Sequence, residues 1–221
     1  MFTISISQSI KNACPLFEGA VVYASVKNSA FNEELWKEIN DFTVELLKTS
    51  SIEEIKQQFA IAATRQVYKR LGKDPGRYRP SAEALRRRLL RNMPLYQIDT
   101  LVDIINLVSL RTGFSIGGFD ADKIRGTSLE LGVGEANEPF EAIGRGILNI
   151  EGLPVYRDSI GGIGTPTSDE ERTKMDINTV HILAIVNGYS GKEGLLEAAE
   201  MIQELLRKYT NSGASEVIQF R

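Results

Sequence analysis

The sequence predicts an α+β fold: a helical N-terminal half packed on a small glycine-rich β layer or partial barrel. Two observations carry this. Between residues 32 and 112 apolar side chains recur at spacings of three and four, the period of a helix face. Between 114 and 187 that period gives way to short β-prone runs broken by glycines. No internal repeat, low-complexity tract or long linker divides the chain, so residues 1–221 read as one domain.

The elements follow in order. FTISIS near 2–7 and AVVYASV at 20–26 read as strands. Residues 32–48 set Leu35, Trp36, Ile39, Phe42, Leu46 and Leu47 at helical spacing. SIEE at 51–54 has the form of a capping box opening the next helix. A helix over about 60–71 ends at Gly72, a residue suited to the left-handed turn that closes helices. KDPGRYRP must turn, and helix 81–92 stops before Pro94. Residues 99–112 are apolar on most sides, as for a helix buried between layers, and end at Gly113. FSIGGF, TSLELGV, GILNI, LPVYRD and TVHILAIV then read as short strands. SGKE at 190–193 has the form of a second capping box, opening an amphipathic helix to about Tyr209, and ASEVIQF closes the chain as a strand.

Composition narrows the function classes. The 221 residues hold 26 Lys and Arg against 29 Asp and Glu, a net charge of −3. No apolar run reaches membrane-spanning length, and the N-terminus lacks the pattern of a secretory signal. One cysteine, Cys14, cannot form an internal disulfide and fits a reducing cytoplasm; it reads as a packed residue. One histidine, His181, and one cysteine cannot build a typical zinc site, so no metal or cofactor is expected. His181 lies in a β-branched run and reads as a core or edge histidine rather than a catalytic base.

Charge is strongly uneven. Residues 65–91 hold ten Lys and Arg (Arg65, Lys69, Arg70, Lys73, Arg77, Arg79, Arg86, Arg87, Arg88 and Arg91) against Asp74 and Glu83, about +8, which leaves the remainder near −11. Lysine and arginine neutralise phosphates and release counterions, so such a segment suits a polyanion. Two solvated helices whose arginines pair with acids elsewhere would show the same composition. The aromatic residues within it are Tyr68 and Tyr78, little for base stacking. As an interface it would present Lys69, Arg70, Lys73, Arg77, Arg79, Arg86, Arg87 and Arg91 on one face, with Leu85, Leu89 and Leu90 buried beneath.

Three ordered runs carry a likeness to a known family: SAEALRRRLLRN with Ile98; LVDIINLVSLRTG leading into FSIGGFD and DKIRGTSLEL; and LPVYRD followed, after a variable loop, by NTVHILAIV. Together they resemble the B3/B4 editing domain of the bacterial phenylalanyl-tRNA synthetase β-subunit. The stretch RQVYKRLGKDPGRYRPSAEALRRR is most similar to free-standing proteins of that type. The resemblance covers roughly residues 60–190. It implies a cytoplasmic, bacterial-type module that binds tRNA or aminoacyl-tRNA, with neither DNA nor a membrane as partner. If it is an enzyme, it is an aminoacyl-tRNA ester hydrolase and not a synthetase. The alternatives are a non-catalytic RNA-binding or regulatory module, and a protein that holds an amino-acid-type small molecule in the same cleft.

Carried over residue by residue, the resemblance places Gly117, Gly118, Phe119 and Asp120 on one side of a pocket, and Arg157 and Asp158 near the other. Gly117 stands where the family pattern has a histidine. Glu170, flanked by Asp169 and Glu171, falls near the position of the pocket glutamate that reads a tyrosine hydroxyl. Residues 165–173 would form a mobile rim, and the missing imidazole at Gly117 would leave the pocket wider there. Asp103 and Asn106, three apart on one helix face, read as structural: buried and hydrogen-bonded.

Overall fold

The computed structural model describes residues 2–221. Strand β9 (His181–Gly188) runs through its centre, paired antiparallel on one side with β2 (Glu18–Ser25) and on the other with β3 (Ile116–Asp120). Strand β10 (Ser215–Phe220) adds to β2, giving the order β10-β2-β9-β3. The run HILAIV does not alternate apolar with polar because both faces of β9 are covered. Ile182, Ala184 and Val186 enter a core with Ala20, Val22 and Ala24 and with helices α5 (Thr100–Thr112) and α6 (Leu195–Thr210). Leu183 and Ile185 turn the other way and meet a second sheet.

That second sheet contains β1 (Thr3–Ile6), β4 (Ser128–Val133), β7 (Pro154–Arg157) and β8 (Gly162–Gly164), with β1 parallel to β4 and the rest antiparallel. A short hairpin of β5 (Glu141–Ala142) and β6 (Gly146–Ile147) lies outside both sheets. The fold is α+β, and no sheet closes into a barrel. Its β part is two sheets, not a single layer. Strands from the two ends of the chain, β1 and β10, form one edge of each sheet.

The helices follow their sequence signals with four exceptions. Asn32 and Asp99 cap α2 (Glu33–Thr49) and α5 by accepting from Leu35 and Val102 N–H. Helix α3 (Phe59–Arg70) closes at Gly72, whose φ is +79°; Lys73 N–H reaches Tyr68 C=O and Gly72 N–H reaches Lys69 C=O. The SIEE box makes its Ser51 N–H to Glu54 contact but opens only a turn and one 3₁₀ segment, Ile55–Gln57. SGKE makes no box at all: α6 starts after Gly194 in a left-handed conformation, with no side-chain cap. Helix α4 (Ser81–Leu89) ends earlier than its pattern, with Asn92 left-handed beyond it. The six-residue α1 (Gln8–Ala13) is too short for periodicity to reveal.

Helix α5 is the central helix. Leu101, Ile104, Leu107, Val108 and Leu110 are fully buried. Asp103 is buried with them; its carboxylate accepts the Trp36 indole N–H at 2.6 Å and Ile98 N–H at 3.5 Å. Burial pushes its pKa up to about 6 despite those two donors.

Candidate functional site

A cleft of about 500 Å³ opens at the β3 edge of the central sheet, between α5 and the segment 165–177. Its wall is apolar: Val102 and Ile105 from α5, Ile116 from β3, and Met175. Ile98, Ile143 and Ile177 stand exposed around it. Its charged groups are Asp99, Asp169, Asp176 and Lys174; Asn106 and Ser168 are among the neutral polar ones, and the Asn106 amide makes no hydrogen bond among the described residues. Asn106 is thus half-buried and unpaired, against the expectation that it is structural like Asp103, because its side of α5 faces this cleft rather than another element.

Asp169 is the distinctive group. Its carboxyl lies against the backbone of β3 and β8 and accepts the Gly118 N–H at 3.1 Å. Glycines make the room. A Cβ on Gly164 would stand 2.7 Å from Asp169 Oδ1 and 2.5 Å from the Phe119 ring, distances no real Cβ tolerates. Burial raises the Asp169 pKa to about 7, the single N–H donor offsetting part of the rise. A carboxyl poised near neutrality in a cleft is suited to accept a proton from water or to hydrogen-bond a ligand in either ionisation state. The lining includes neither the histidine nor the cysteine. His181 pairs with Asp122 at 2.9 Å and stacks on Tyr23; Cys14 is buried and donates to Tyr189 C=O.

The expected pocket residues divide. Gly118 lines the cleft. Gly117 and Phe119 lie on the opposite face of β3, and the Phe119 ring, fully buried in the second core, fills the space a side chain at 117 would take. The missing imidazole therefore leaves no widening. Asp120 is buried and structural, accepting Asp122 N–H and the Thr179 hydroxyl. Arg157 and Asp158 do not reach the cleft. Arg157 makes a two-pronged pair with Glu138, and the Asp158 carboxylate accepts three backbone N–H groups and the Arg172 guanidinium. Glu170 turns away to cap the 3₁₀ turn at Arg172 N–H; the acid in the pocket is its neighbour. The rim at 165–173 is tied down: Ser81 N–H bonds Pro166 C=O, Tyr68 OH meets the Thr167 hydroxyl, and Thr165 caps Thr167 and Ser168.

The basic segment does not form one exposed face. Arg86 is 6% exposed and donates to Leu110 C=O. Lys73 is buried and donates to Asn149 and Glu151 C=O. Arg65 and Arg87 clamp Glu83, which is fully buried between them. Arg88 donates to Pro94 C=O and stacks over Tyr96. Leu89 is buried while Leu85 and Leu90 are only half so. What stays exposed is Lys69, Arg70, Arg77, Arg79 and Arg91. Several of these arginines serve as braces between helices, a use of guanidinium that composition cannot separate from phosphate binding.

The B3/4 domain family matches residues 63–210, about two thirds of the sequence. This chain belongs to the B3/4 domain family. The β3–α5 cleft and the Asp169 carboxyl fall within the matched region; β1, α1, β2, α2 and β10 fall outside it, although β2 and β10 complete the central sheet. The B3/4 chain is also similar to an N-terminal fragment of the phenylalanyl-tRNA synthetase β-subunit from Pyrococcus horikoshii, with a TM-score of 0.50 and 14% identity. The match covers 100% of this chain and 54% of that one, so the chain spans about half the length of its structural relative, and the likeness is one of fold. No curated protein matches the sequence. No helix among the described residues is long and apolar enough to cross a membrane.

Proposed function

We propose that this B3/4 chain binds the aminoacyl end of a tRNA, the amino-acid side chain entering the β3–α5 cleft. The observation that carries the reading is the cleft itself: about 500 Å³, apolar-walled, with one buried carboxyl near neutrality at Asp169. That volume suits a small organic group, and few convergent polar atoms are what orient one. The lining holds Asp99, Asp169 and Asp176 against the single Lys174; with Asp176 paired to Lys123 and Asp99 capping α5, Asp169 is the acid placed to meet a cationic group such as an α-ammonium.

Hydrolysis of the ester is the weaker part of the activity. With no imidazole or thiol in the lining, it runs through a water that Asp169 deprotonates, without a covalent intermediate. Tyrosyl ester is cleared slowly at best. Deacylation measured across a panel of mischarged tRNAs tests this. The expected result is slow release from a subset of amino acids, abolished in Asp169→Ala. Rapid clearance of tyrosyl-tRNA that survives Asp169→Ala would contradict it.

A second reading has its own support. The acidic bias of the cleft suits a free amino-acid-type molecule as well as an ester, because the one cation of its lining, Lys174, is already paired with Glu171. Calorimetric titration with the twenty amino acids separates the two.

A further inference from the structure

We propose that a second surface, sharing no lining residue with the cleft, holds an RNA strand with at least one unstacked base. It comprises two adjoining grooves on either side of Pro15 and Leu16, of about 1230 and 730 Å³. The first carries Lys56, Arg65, Lys69 and Arg70 and no carboxylate. Into the second come Lys11, Lys192 and Arg221, with Glu18 as the one acidic side chain. Only Arg65 among these cations makes an ion pair; the other six make none among the described residues.

Such a concentration is notable on a chain of net charge −3. Six cations without an ion pair, Arg70 among them although it donates to Ala13 C=O, face two concave surfaces and repel one another, and a polyanion relieves that repulsion while releasing its own counterions. The occupant is narrowed by what else lines the first groove. Phe59, the first residue of α3, is 56% exposed there, and the Ser190 hydroxyl has no partner. An aromatic face beside unpaired cations is the arrangement that stacks a base while its phosphates are neutralised. A planar membrane does not enter two concave grooves, and an acidic peptide offers carboxylates but no base to lay on the ring.

The proposal rests on the RNA-binding part of the function above and locates it. Only Arg65, Lys69 and Arg70 of the basic segment take part; the other four cations come from α1, the 3₁₀ turn before α3, the β9–α6 loop and the last residue.

Bulk tRNA stripped of amino acids, titrated against the full chain between 50 and 200 mM KCl, tests it without involving the cleft. The pair Lys69→Glu with Lys192→Glu should weaken binding about tenfold or more and flatten the log–log salt dependence by about two. Phe59→Ala should weaken binding about tenfold with the salt dependence unchanged. All three positions are exposed, so folding should survive. If wild type binds and the groove pair binds as well as wild type, this surface is wrong and the broader reading stands. A larger loss from Arg79→Glu with Arg91→Glu would equally overturn it, moving the RNA to the residues that flank α4. Loss in the groove pair with no effect of Phe59→Ala would reject the stacked base and point to a non-specific polyanion site. If wild type binds no tRNA even at 50 mM salt, the functional reading fails too.

Discussion

Asp169 ties local packing to chemistry. Its carboxyl occupies space that exists because residue 164 lacks a side chain, and burial there holds its pKa at about 7. The sign of the resulting pH dependence is fixed. The folded value lies above the unfolded one of about 3.9, so folding retains a proton the unfolded chain gives up. Stability from this group is full below pH ~4 and falls as pH rises toward 7. Asp103, raised to about 6, acts in the same direction. Asp169→Asn keeps an acceptor for Gly118 N–H and removes the ionisation. Denaturant melts at pH 4 and pH 8 should show the variant gaining on wild type at the higher pH. An equal difference at both would mean that the carboxyl ionises freely. Gly117→His gives the second prediction at this scale. A Cβ at 117 would lie 2.7 Å from Phe119 Cζ, so the variant should lose about 1–3 kcal/mol by overpacking, without gain of deacylation. Unchanged stability with faster deacylation would show that Phe119 yields and the imidazole reaches the cleft. The sequence placed an acid within one residue of the right position. It could not choose among Asp169, Glu170 and Glu171, because which of three successive side chains faces the cleft depends on the bridges from 142 and 164 to this segment.

At the scale of elements, the arginines of α3 and α4 show how charge and packing compete. Glu83 is fully buried between Arg65 and Arg87, so it joins the two helices by a carboxylate with two guanidinium partners. Glu83→Ala leaves both cations unpaired beside a buried surface and should cost about 3 kcal/mol, read as a lowered denaturation midpoint at unchanged m-value. A loss below half a kcal/mol would show that water replaces the carboxylate. The long helices were legible from apolar spacing, and Gly72 and Gly113 marked their ends as left-handed residues. The failures were short or tertiary. Helix α1 has under two turns, and β8 is three residues of Gly-Ile-Gly whose strand character comes from pairing with β7. The SGKE pattern lost to Gly194, which turns the chain before α6 begins.

The whole molecule is ordered around β9, whose two buried faces separate a helical layer from a second sheet. The apolar run at 182–186 announced a buried strand. That it needed cover on both sides, from α5 and α6 on one and the second sheet on the other, followed only from topology. Charge is segregated in the same way. The cleft lining has three aspartates to one lysine, while the two grooves around Leu16 have seven cations to one glutamate. A ligand with a cationic amine at one end and phosphates elsewhere fits that division, and an aminoacyl-tRNA is such a ligand. The most direct test compares affinities for one tRNA in two forms: bare, and carrying an amide-linked amino acid that cannot be hydrolysed. The charged form should bind at least about tenfold tighter, a difference of about 1.4 kcal/mol, and Val102→Trp, which fills the cleft, should erase the advantage while bare tRNA binds as before. Equal affinity for the two forms across a panel of amino acids would contradict the claim that the cleft receives the aminoacyl group.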